Sequence, residues 1–157
     1  YFRERRPSVR VVAVDSVGSV TFGRPAATRH IPGLGTSVRP ALLDESLVDA
    51  VVHVPEAATV RTCRELMRHG FSFGGSTGTA VTGALSWLSE QYGDATSGIR
   101  EQVTAVTISP DLGERYMETV YHDEWVTHSL GAESLTENAE GTWAGTESTA
   151  GLETVSG

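Results

Sequence analysis

A glycine-rich turn at residues 74–79, with the sequence GGSTGT, constrains the fold of this chain more than any other segment. It follows a short apolar segment at residues 71–73 (FSF) and precedes a helical pattern that continues to about residue 91. A glycine turn between a strand and a helix places backbone N–H groups and a hydroxyl at the start of that helix. The turn therefore predicts a site for an anion or a polar ring atom.

Strand patterns and helix patterns alternate along the chain. Apolar segments at residues 9–15, 47–54 and 102–108 predict buried strands, and residues 71–73 predict a short one. A helix is expected from Pro55 to a C-terminal glycine cap at Gly70. A second helix after the glycine turn is expected to bury an apolar stripe of Val81, Ala84, Leu85, Leu88 and Tyr92. This order predicts an α/β fold, a three-layer arrangement with a partly parallel sheet flanked by helices.

Three loops leave the carboxyl ends of the predicted strands, after Asp15, at Gly74 and after Ile108. Ligands of such sheets bind at that edge, so the loops are expected to converge on one crevice. In the long loop at residues 16–39, backbone N–H groups of residues 33–37 could hold a carboxylate, and Arg39 could meet an anionic substrate. The alternative is a flexible connection with a surface arginine. Likewise, Ser76 is either a ligand-binding hydroxyl or only the N-cap of its helix.

Composition excludes several classes of function. The net charge of −8 argues against nucleic acid as a partner, because a binder needs a basic surface. No apolar run approaches the length of a membrane-spanning helix, so no membrane is expected. The single cysteine, Cys63, is typical of a reducing compartment, which favours the cytoplasm. The five histidines lack metal-site spacing, so no metal is expected.

The end of the chain differs in composition from the rest. After His122 there are seven acidic residues and no arginine, and Gly, Ser and Thr are frequent. Such a composition buries too little apolar surface to fold. We therefore expect a domain at residues 1–126 and a disordered acidic tail at residues 127–157.

Four segments stand in one order along the chain: VVAVD at residues 11–15, IPGLG at 31–35, GGSTG at 74–78 and SPDLGERY at 109–116. Together they resemble the C-terminal half of the cysteine synthase family of pyridoxal-phosphate enzymes, which have fold type II. Residues 15–20 (DSVGSV), 31–40 and 63–66 (CREL) are similar to one branch of that family. This branch joins O-phosphoserine to glutamate on the way to 2,3-diaminopropionate, a building block of siderophores and antibiotics.

The resemblance implies a role for each segment. The hydroxyl of Ser76 would face the pyridine nitrogen of pyridoxal 5'-phosphate. The rest of the cofactor-binding turn would be Gly75, Thr77 and Gly78. The substrate-lining residues would be Gly33, Leu34, Gly35, Ser37 and Arg39. The pyridine end would be backed by Gly113, Glu114 and Arg115. The implied partners are small amino-acid substrates and a second copy of the chain in a homodimer.

The chain contains no lysine, and all twelve basic residues are arginine. In the family, the lysine that carries the cofactor, an Asn-containing substrate loop and a Gly/Thr-rich phosphate loop all precede the matched segments. No catalytic residue is therefore assigned in this chain. The missing parts are expected in an N-terminal segment or in a second chain.

The expected function is β-replacement on an activated serine, either O-phosphoserine or O-acetylserine, by an amino-acid nucleophile such as glutamate. The family enzymes are transferases, so the chain is expected to be a portion of one. One alternative is a cysteine synthase that uses sulfide. Another, from a different class, is a non-catalytic α/β binding module that has lost the lysine.

The absence of lysine predicts that this chain by itself forms no stable covalent adduct with pyridoxal phosphate. After incubation with the cofactor, dialysis and borohydride reduction, intact-mass spectrometry should show no phosphopyridoxyl group on any side chain. The α-amino group is the one primary amine that a chain without lysine retains, so an N-terminally acetylated sample is the control. A reduced adduct that persists in the acetylated sample would contradict this prediction.

Overall fold

The computed structural model of the chain describes residues 1–93, 103–136 and 153–154. The elements in chain order are α1 (Phe2–Arg5), β1 (Val12–Ser16), β2 (Ala50–Val54), α2 (Glu56–Arg68), α3 (Gly75–Tyr92), α4 (Asp123–Leu130) and β3 (Glu153–Thr154). Single turns of 3-10 helix lie at Glu45–Leu47, Gly113–Tyr116 and Ala132–Leu135. Among the described helices, none has both the length and the apolar character needed to cross a lipid bilayer.

The sheet confirms the predicted α/β class. Strands β1 and β2 pair in parallel, with Val12 opposite Ala50 and Ser16 opposite Val54, and β3 pairs antiparallel to β2. Helix α3 packs against both β1 and β2, and α2 packs along α3. The two parallel strands begin later than expected. Strand β2 ends at the predicted Val54, and β1 ends one residue beyond the predicted Asp15, so the loop after Ser16 starts at the carboxyl edge of the sheet.

Helix α2 has the bounds that its sequence predicts. Pro55 precedes its first residue in an extended conformation, which suits a residue whose backbone lacks an N–H group. At the other end, Gly70 adopts a φ of 86°, and its N–H donates to the carbonyl of Met67. The N–H of Phe71 donates to the carbonyl of Leu66, which completes the hydrogen-bond pair typical of a glycine-terminated helix.

Helix α3 begins two residues earlier than an N-cap at Ser76 requires. Gly74 is the N-cap, and Ser76 is the second helical residue, so the alternative that Ser76 is only the N-cap of its helix is wrong. The physical reason is that Gly74 already takes the extended backbone conformation of an N-cap, with a φ of −80° and a ψ of 172°.

The buried face of α3 consists of small residues instead of the expected apolar stripe. Its buried members are Gly75, Thr77, Gly78, Thr79, Thr82 and Gly83. Small side chains let the helix approach α2 closely, and hydroxyl pairs join the two helices. The Oγ1 atoms of Thr59 and Thr79 lie 2.8 Å apart, and those of Thr62 and Thr82 lie 2.7 Å apart. The expected stripe is only partly buried, and its last member, Tyr92, is exposed.

Cys63 lies where the two helices meet and is fully buried. Its Sγ atom is 3.5 Å from the carbonyl oxygen of Gly74. Burial raises the pKa of the Cys63 thiol to about 12, so the group stays neutral and acts as a small apolar side chain. This agrees with the sequence pattern, which places Cys63 on the apolar face of its helix.

Two of the four predicted strands are absent from the described residues. The segment at residues 71–73 provides only one bridge, between Phe73 and Leu112. Residues 103–108 contain no strand, and their apolar side chains are solvent-exposed, to 89% at Val106 and 77% at Ile108. A strand is stabilised by pairing with neighbouring strands. Within the described residues this segment has no such neighbour, so β-branched composition alone does not make it a strand.

The expected start of the acidic tail at residue 127 is too early. Helix α4 continues to Leu130, and a 3-10 turn follows it to Leu135. Both leucines pack against a core cluster that contains the fully buried Val126 and Val120. This packing makes residues 127–135 part of the folded domain. The remainder of the expected tail lies outside the described residues, apart from the two residues of β3.

The contact between α2 and α3 predicts an unusual effect of a glycine substitution. A Cβ atom on Gly78 would lie 2.3 Å from Cys63 Sγ and 2.9 Å from the carbonyl oxygen of Thr59. Gly→Ala normally stabilises a helix interior by up to about 1 kcal/mol. At Gly78 we expect overpacking to lower the free energy of unfolding by about 1–3 kcal/mol instead, measured by urea denaturation.

The matched control is the double variant Gly78→Ala with Cys63→Ala. Removing the sulfur opens space for the new methyl group, so the two substitutions should be less destabilising together than their separate effects add up to. Additive effects, or a stabilising Gly78→Ala, would show that the two helices are not in tight contact at this point.

Candidate functional site

The glycine turn, the loop at residues 31–35 and the Gly113–Tyr116 turn come together at the start of α3. A Cβ atom on Gly74 would lie 2.6 Å from Cε2 of Tyr116, and one on Gly75 would lie 2.7 Å from Cγ2 of Ile31. Neither glycine can carry a side chain unless these neighbours move. The glycines therefore let a tyrosine ring and a loop pack directly on the backbone of the turn. This arrangement brings together segments that the sequence predicts to converge.

Glu56, the first residue of α2, holds the loop in place. Its Oε1 accepts hydrogen bonds from the backbone N–H groups of His30, at 2.8 Å, and Ile31, at 2.6 Å. Its Oε2 also accepts from His30, at 2.9 Å. Glu56 is almost completely buried, so these backbone groups replace the water that its carboxylate would otherwise bind. The sequence offered only an acidic residue at a helix start, which does not reveal this distant partner.

Tyr116 connects the turn to Asp111. Its hydroxyl donates to Oδ2 of Asp111 at 2.6 Å and lies 3.4 Å from the carbonyl oxygen of Pro32. Burial, followed by the hydrogen bond to Asp111, raises the pKa of Tyr116 to about 12. The phenol therefore remains protonated at neutral pH.

Asp111 also contacts the turn through its backbone. Its carbonyl oxygen accepts from the N–H of Gly74 at 3.1 Å and lies 3.5 Å from Oγ1 of Thr77. Its Oδ1 atom is buried and has no hydrogen-bond partner among the described residues. A buried carboxylate oxygen without a partner is costly, and such atoms occur at functional sites. Sequence reasoning gave Asp111 no role, although it lies inside the SPDLGERY segment.

The four predicted cofactor-binding residues fall into two pairs. Gly75 and Ser76 lie on the side of the turn that meets Ile31 and Tyr116. Thr77 is buried, with its Oγ1 atom 2.9 Å from Oγ of Ser109, and Gly78 packs on Cys63. Of the first pair, Gly75 is buried and Ser76 is half-buried, whereas both members of the second pair are buried.

The predicted substrate-lining residues are more dispersed. Gly33 lies beside the turn, because a Cβ atom placed on it would be 3.9 Å from Oη of Tyr116. Leu34 belongs to a buried core cluster. The other three contact residues outside the turn: Gly35 packs on Ser19, Ser37 accepts a hydrogen bond from Arg29, and Arg39 forms an ion pair with Glu45.

Two further predictions concern the residues that would back the pyridine end of the cofactor and the presence of a metal site. Gly113 is buried against Ser72, whereas Glu114 and Arg115 are exposed. In the part of the chain that the structure describes, no group of three or more His, Cys, Asp or Glu side chains could hold a metal ion. The polar groups that meet at the turn are hydroxyls, backbone N–H groups and the Asp111 carboxylate.

These groups fit the ring end of pyridoxal phosphate. The first N–H groups of a helix have no partner within the helix, and a serine hydroxyl can donate to a ring nitrogen or accept from it. The unpartnered Oδ1 of Asp111 marks a further polar position at the same turn. The fold and the site together define an α/β domain with a cluster of polar groups at the start of a helix.

Comparison with known proteins gives the family. The model of the family described as pyridoxal-phosphate dependent enzymes matches residues 1–107. The chain belongs to this family, and pyridoxal phosphate is the family's cofactor. The structural neighbours are enzymes of the cysteine synthase type, with fold type II, as the four sequence segments indicate.

Two curated relatives are N-(2-amino-2-carboxyethyl)-L-glutamate synthases. The protein from Cupriavidus metallidurans is 43% identical over 125 residues, which cover 79% of this chain and 35% of the relative. The protein from Ralstonia nicotianae is 42% identical over the same length, with the same coverage. The chain therefore spans about a third of the length of the curated relatives it matches.

Solved structures agree with this assignment. An O-ureido-L-serine synthase is 30% identical and superimposes with a TM-score of 0.65, covering 82% of this chain and 37% of that one. An O-acetylserine-dependent cystathionine β-synthase from Helicobacter pylori is 26% identical, with a TM-score of 0.64 and coverage of 78% and 38%.

The bond between Glu56 and the loop predicts a measurable loss of stability. In Glu56→Gln, the amide offers one acceptor oxygen, and its NH₂ group faces the N–H groups that the carboxylate bound. We expect the free energy of unfolding to fall by about 1–3 kcal/mol, with faster hydrogen exchange at the amides of His30 and Ile31. Glu65→Gln is the matched control on the same helix, because Glu65 pairs with Arg68 and His69 at the surface.

For Glu65→Gln we expect a change within about 0.5 kcal/mol and unaltered exchange in the loop. If both variants behave alike, the carboxylate of Glu56 does not anchor the loop.

Proposed function

We propose that this chain is the C-terminal part of a pyridoxal-phosphate enzyme that performs β-replacement on an activated serine. The observation that carries this proposal is the position of Ser76 in the first turn of α3, beside the loop at residues 31–35 and the Tyr116 hydroxyl. The identity of 43% to a named glutamate-adding synthase supports glutamate, or a similar amino acid, as the nucleophile. The proposed activated serine is O-phosphoserine or O-acetylserine.

Each segment of the site has a proposed task. Bound pyridoxal phosphate supplies an electron sink for elimination at the β-carbon of serine. The hydroxyl of Ser76 forms a hydrogen bond with the ring nitrogen, and Gly75 lets Ile31 pack against the backbone of the turn. Backbone N–H groups near Gly33 and Gly35 bind the substrate carboxylate. Glu56 contributes indirectly, because it keeps the loop at a fixed distance from the turn.

A complete enzyme requires groups that this chain does not contain. The chain has no lysine, and it matches about a third of the length of its curated relatives. We propose that an N-terminal segment or a second chain supplies the lysine and the phosphate loop, that the enzyme is a homodimer, and that it works in the cytoplasm. The neutral, buried thiol of Cys63 is compatible with that compartment.

A chimera tests the function directly. The N-terminal two-thirds of the Cupriavidus metallidurans synthase would be joined to this chain in place of the synthase's own C-terminal third. With O-phosphoserine and glutamate, we expect mass spectrometry to detect N-(2-amino-2-carboxyethyl)-glutamate. Cysteine formation with sulfide alone would favour a cysteine synthase. A folded, cofactor-loaded chimera that turns over neither pair would favour the non-catalytic module.

Substitution of Ser76 tests the site within that chimera. Ser76→Asp places a negative charge at the ring nitrogen, which favours a protonated ring and alters the absorbance of the bound cofactor. We expect the turnover rate to fall at least tenfold, which corresponds to about 1.4 kcal/mol of barrier. Folding should be kept, because an acidic residue is favourable in the first turn of a helix.

Ser8→Asp is the control, since Ser8 is exposed and lies far from the turn in the chain. We expect this variant to keep the turnover rate and the spectrum of the parent chimera. Wild-type turnover and an unchanged spectrum in Ser76→Asp would remove Ser76 from the cofactor site.

A further inference from the structure

Arg29 holds the long loop together through neutral groups. Its Nε atom donates to the carbonyl oxygen of Leu34 at 3.1 Å, and its Nη2 atom donates to Oγ of Ser37 at 2.9 Å. Its Nη1 atom donates to the backbone carbonyl of Gly18. Among the described residues, no carboxylate forms an ion pair with Arg29. The guanidinium, which does not lose its proton in proteins, therefore keeps an uncompensated positive charge beside residues 34–37.

The contact with Leu34 also sets the direction of the next backbone N–H group, that of Gly35. The carbonyl of Leu34 and the N–H of Gly35 belong to one planar trans peptide, so they point in opposite directions. Because Arg29 holds the carbonyl, the N–H of Gly35 points away from the guanidinium. Gly35 is exposed, and its N–H donates to no acceptor in the part of the chain that the structure describes.

The N–H groups on either side of Gly35 are already in use. That of Leu34 donates to the carbonyl of Ile31 at 3.5 Å. That of Thr36 donates to Oγ of Ser19 at 2.9 Å, and Ser19 is completely buried. Of these three consecutive N–H groups, only that of Gly35 is therefore left for a ligand.

We propose that Arg29 is a positioning residue, which directs the Gly35 N–H at the carboxylate of an amino-acid substrate and favours that anion by its charge. This inference rests on the proposed function, which places a substrate carboxylate on this loop. A hydrogen bond from an N–H group to a carboxylate is charge-assisted, and a cation on the carbonyl side of the same peptide polarises it further. Arg39 is less suited to this task, because its ion pair with Glu45 compensates its charge.

The first measurement uses the ligand-free chain. Nuclear magnetic resonance of the Leu34 carbonyl carbon and of the Gly35 amide reports the contact, because both nuclei belong to the peptide that Arg29 binds. Arg29→Met keeps a long side chain and removes the charge and the donors, so we expect both resonances to move. Arg29→Lys keeps the charge without the fork of donors, so the Leu34 resonance should move there too. It is also the second variant if Arg29→Met does not fold.

Arg64→Met is the matched control. Arg64 likewise donates from Nε to a backbone carbonyl, that of Val120, at 2.9 Å, and its Nη1 atom pairs with Asp123. The variant loses a comparable hydrogen bond outside the loop, so the Leu34 and Gly35 resonances should stay in place. Unmoved resonances in the folded Arg29 variants, or equal movement in Arg64→Met, would overturn the proposal.

A second measurement adds acetate, which is a carboxylate with no other polar group, and acetamide, which has the same shape and no charge. We expect acetate, but not acetamide, to shift the Gly35 amide of the wild-type chain in a saturable way. Arg29→Met should need roughly tenfold more acetate, because hydrogen bonds to charged groups are the stronger ones, and Arg29→Lys an intermediate amount. A Gly35 amide that ignores acetate, or responds equally in all variants, would contradict the proposal.

The chimera with the Cupriavidus metallidurans segment separates this inference from the proposed function. Arg29→Met should raise the KM for O-phosphoserine or for glutamate about tenfold with little change in kcat, the pattern of a lost ground-state contact. The substrate whose KM rises is the one whose carboxylate meets Gly35, and Arg64→Met should alter neither value. An active chimera in which Arg29→Met changes neither KM refutes the inference and leaves the function standing. An inactive chimera, beside an acetate shift that depends on Arg29, refutes the function and leaves the carboxylate site standing.

Discussion

The absence of side chains at three glycines determines how this domain packs. Gly74 meets Asp111 and Tyr116, Gly75 meets Ile31, and Gly78 meets Cys63, and in each case a Cβ atom would lie within 3 Å of its neighbour. The loop, the 3-10 turn and α2 therefore all depend on the same short stretch of backbone. The same three glycines therefore shape the candidate site and allow the core to pack. A substitution that disturbs either is expected to disturb both.

The sequence predicted correctly those elements that depend on the backbone conformations of their own residues. Helix α2 follows from Pro55 at its start and Gly70 at its end, because both residues act through their own backbone conformations. Residues 103–108 have equally strong β composition but no strand beside them among the described residues, and there the prediction is wrong. A strand depends on a distant neighbour, which composition does not encode. The same applies to α4, whose order depends on packing against the core.

The candidate site also combines residues that the sequence could predict with residues that it could not. Ser76 and Gly33 could be placed together from the sequence, because both follow predicted strands whose carboxyl ends share an edge. Their anchors could not be predicted. Glu56 holds a loop 25 residues away in the chain, and such a partner is chosen by the fold and not by a local pattern. Arg39 was expected to meet an anionic substrate. Its guanidinium instead forms an ion pair with the nearby carboxylate of Glu45.

The rate at which the Cys63 thiol is modified can report how often helices α2 and α3 separate. Cys63 is the single cysteine of the chain, it is fully buried between α2 and α3, and the high pKa of its thiol suppresses the reactive thiolate. A thiol reagent can therefore modify it only when the two helices separate. Because Gly78 and the carbonyl of Gly74 line the same contact, the rate of modification measures how often the glycine turn loses its support. The chain thus reports the integrity of its candidate site without any added label.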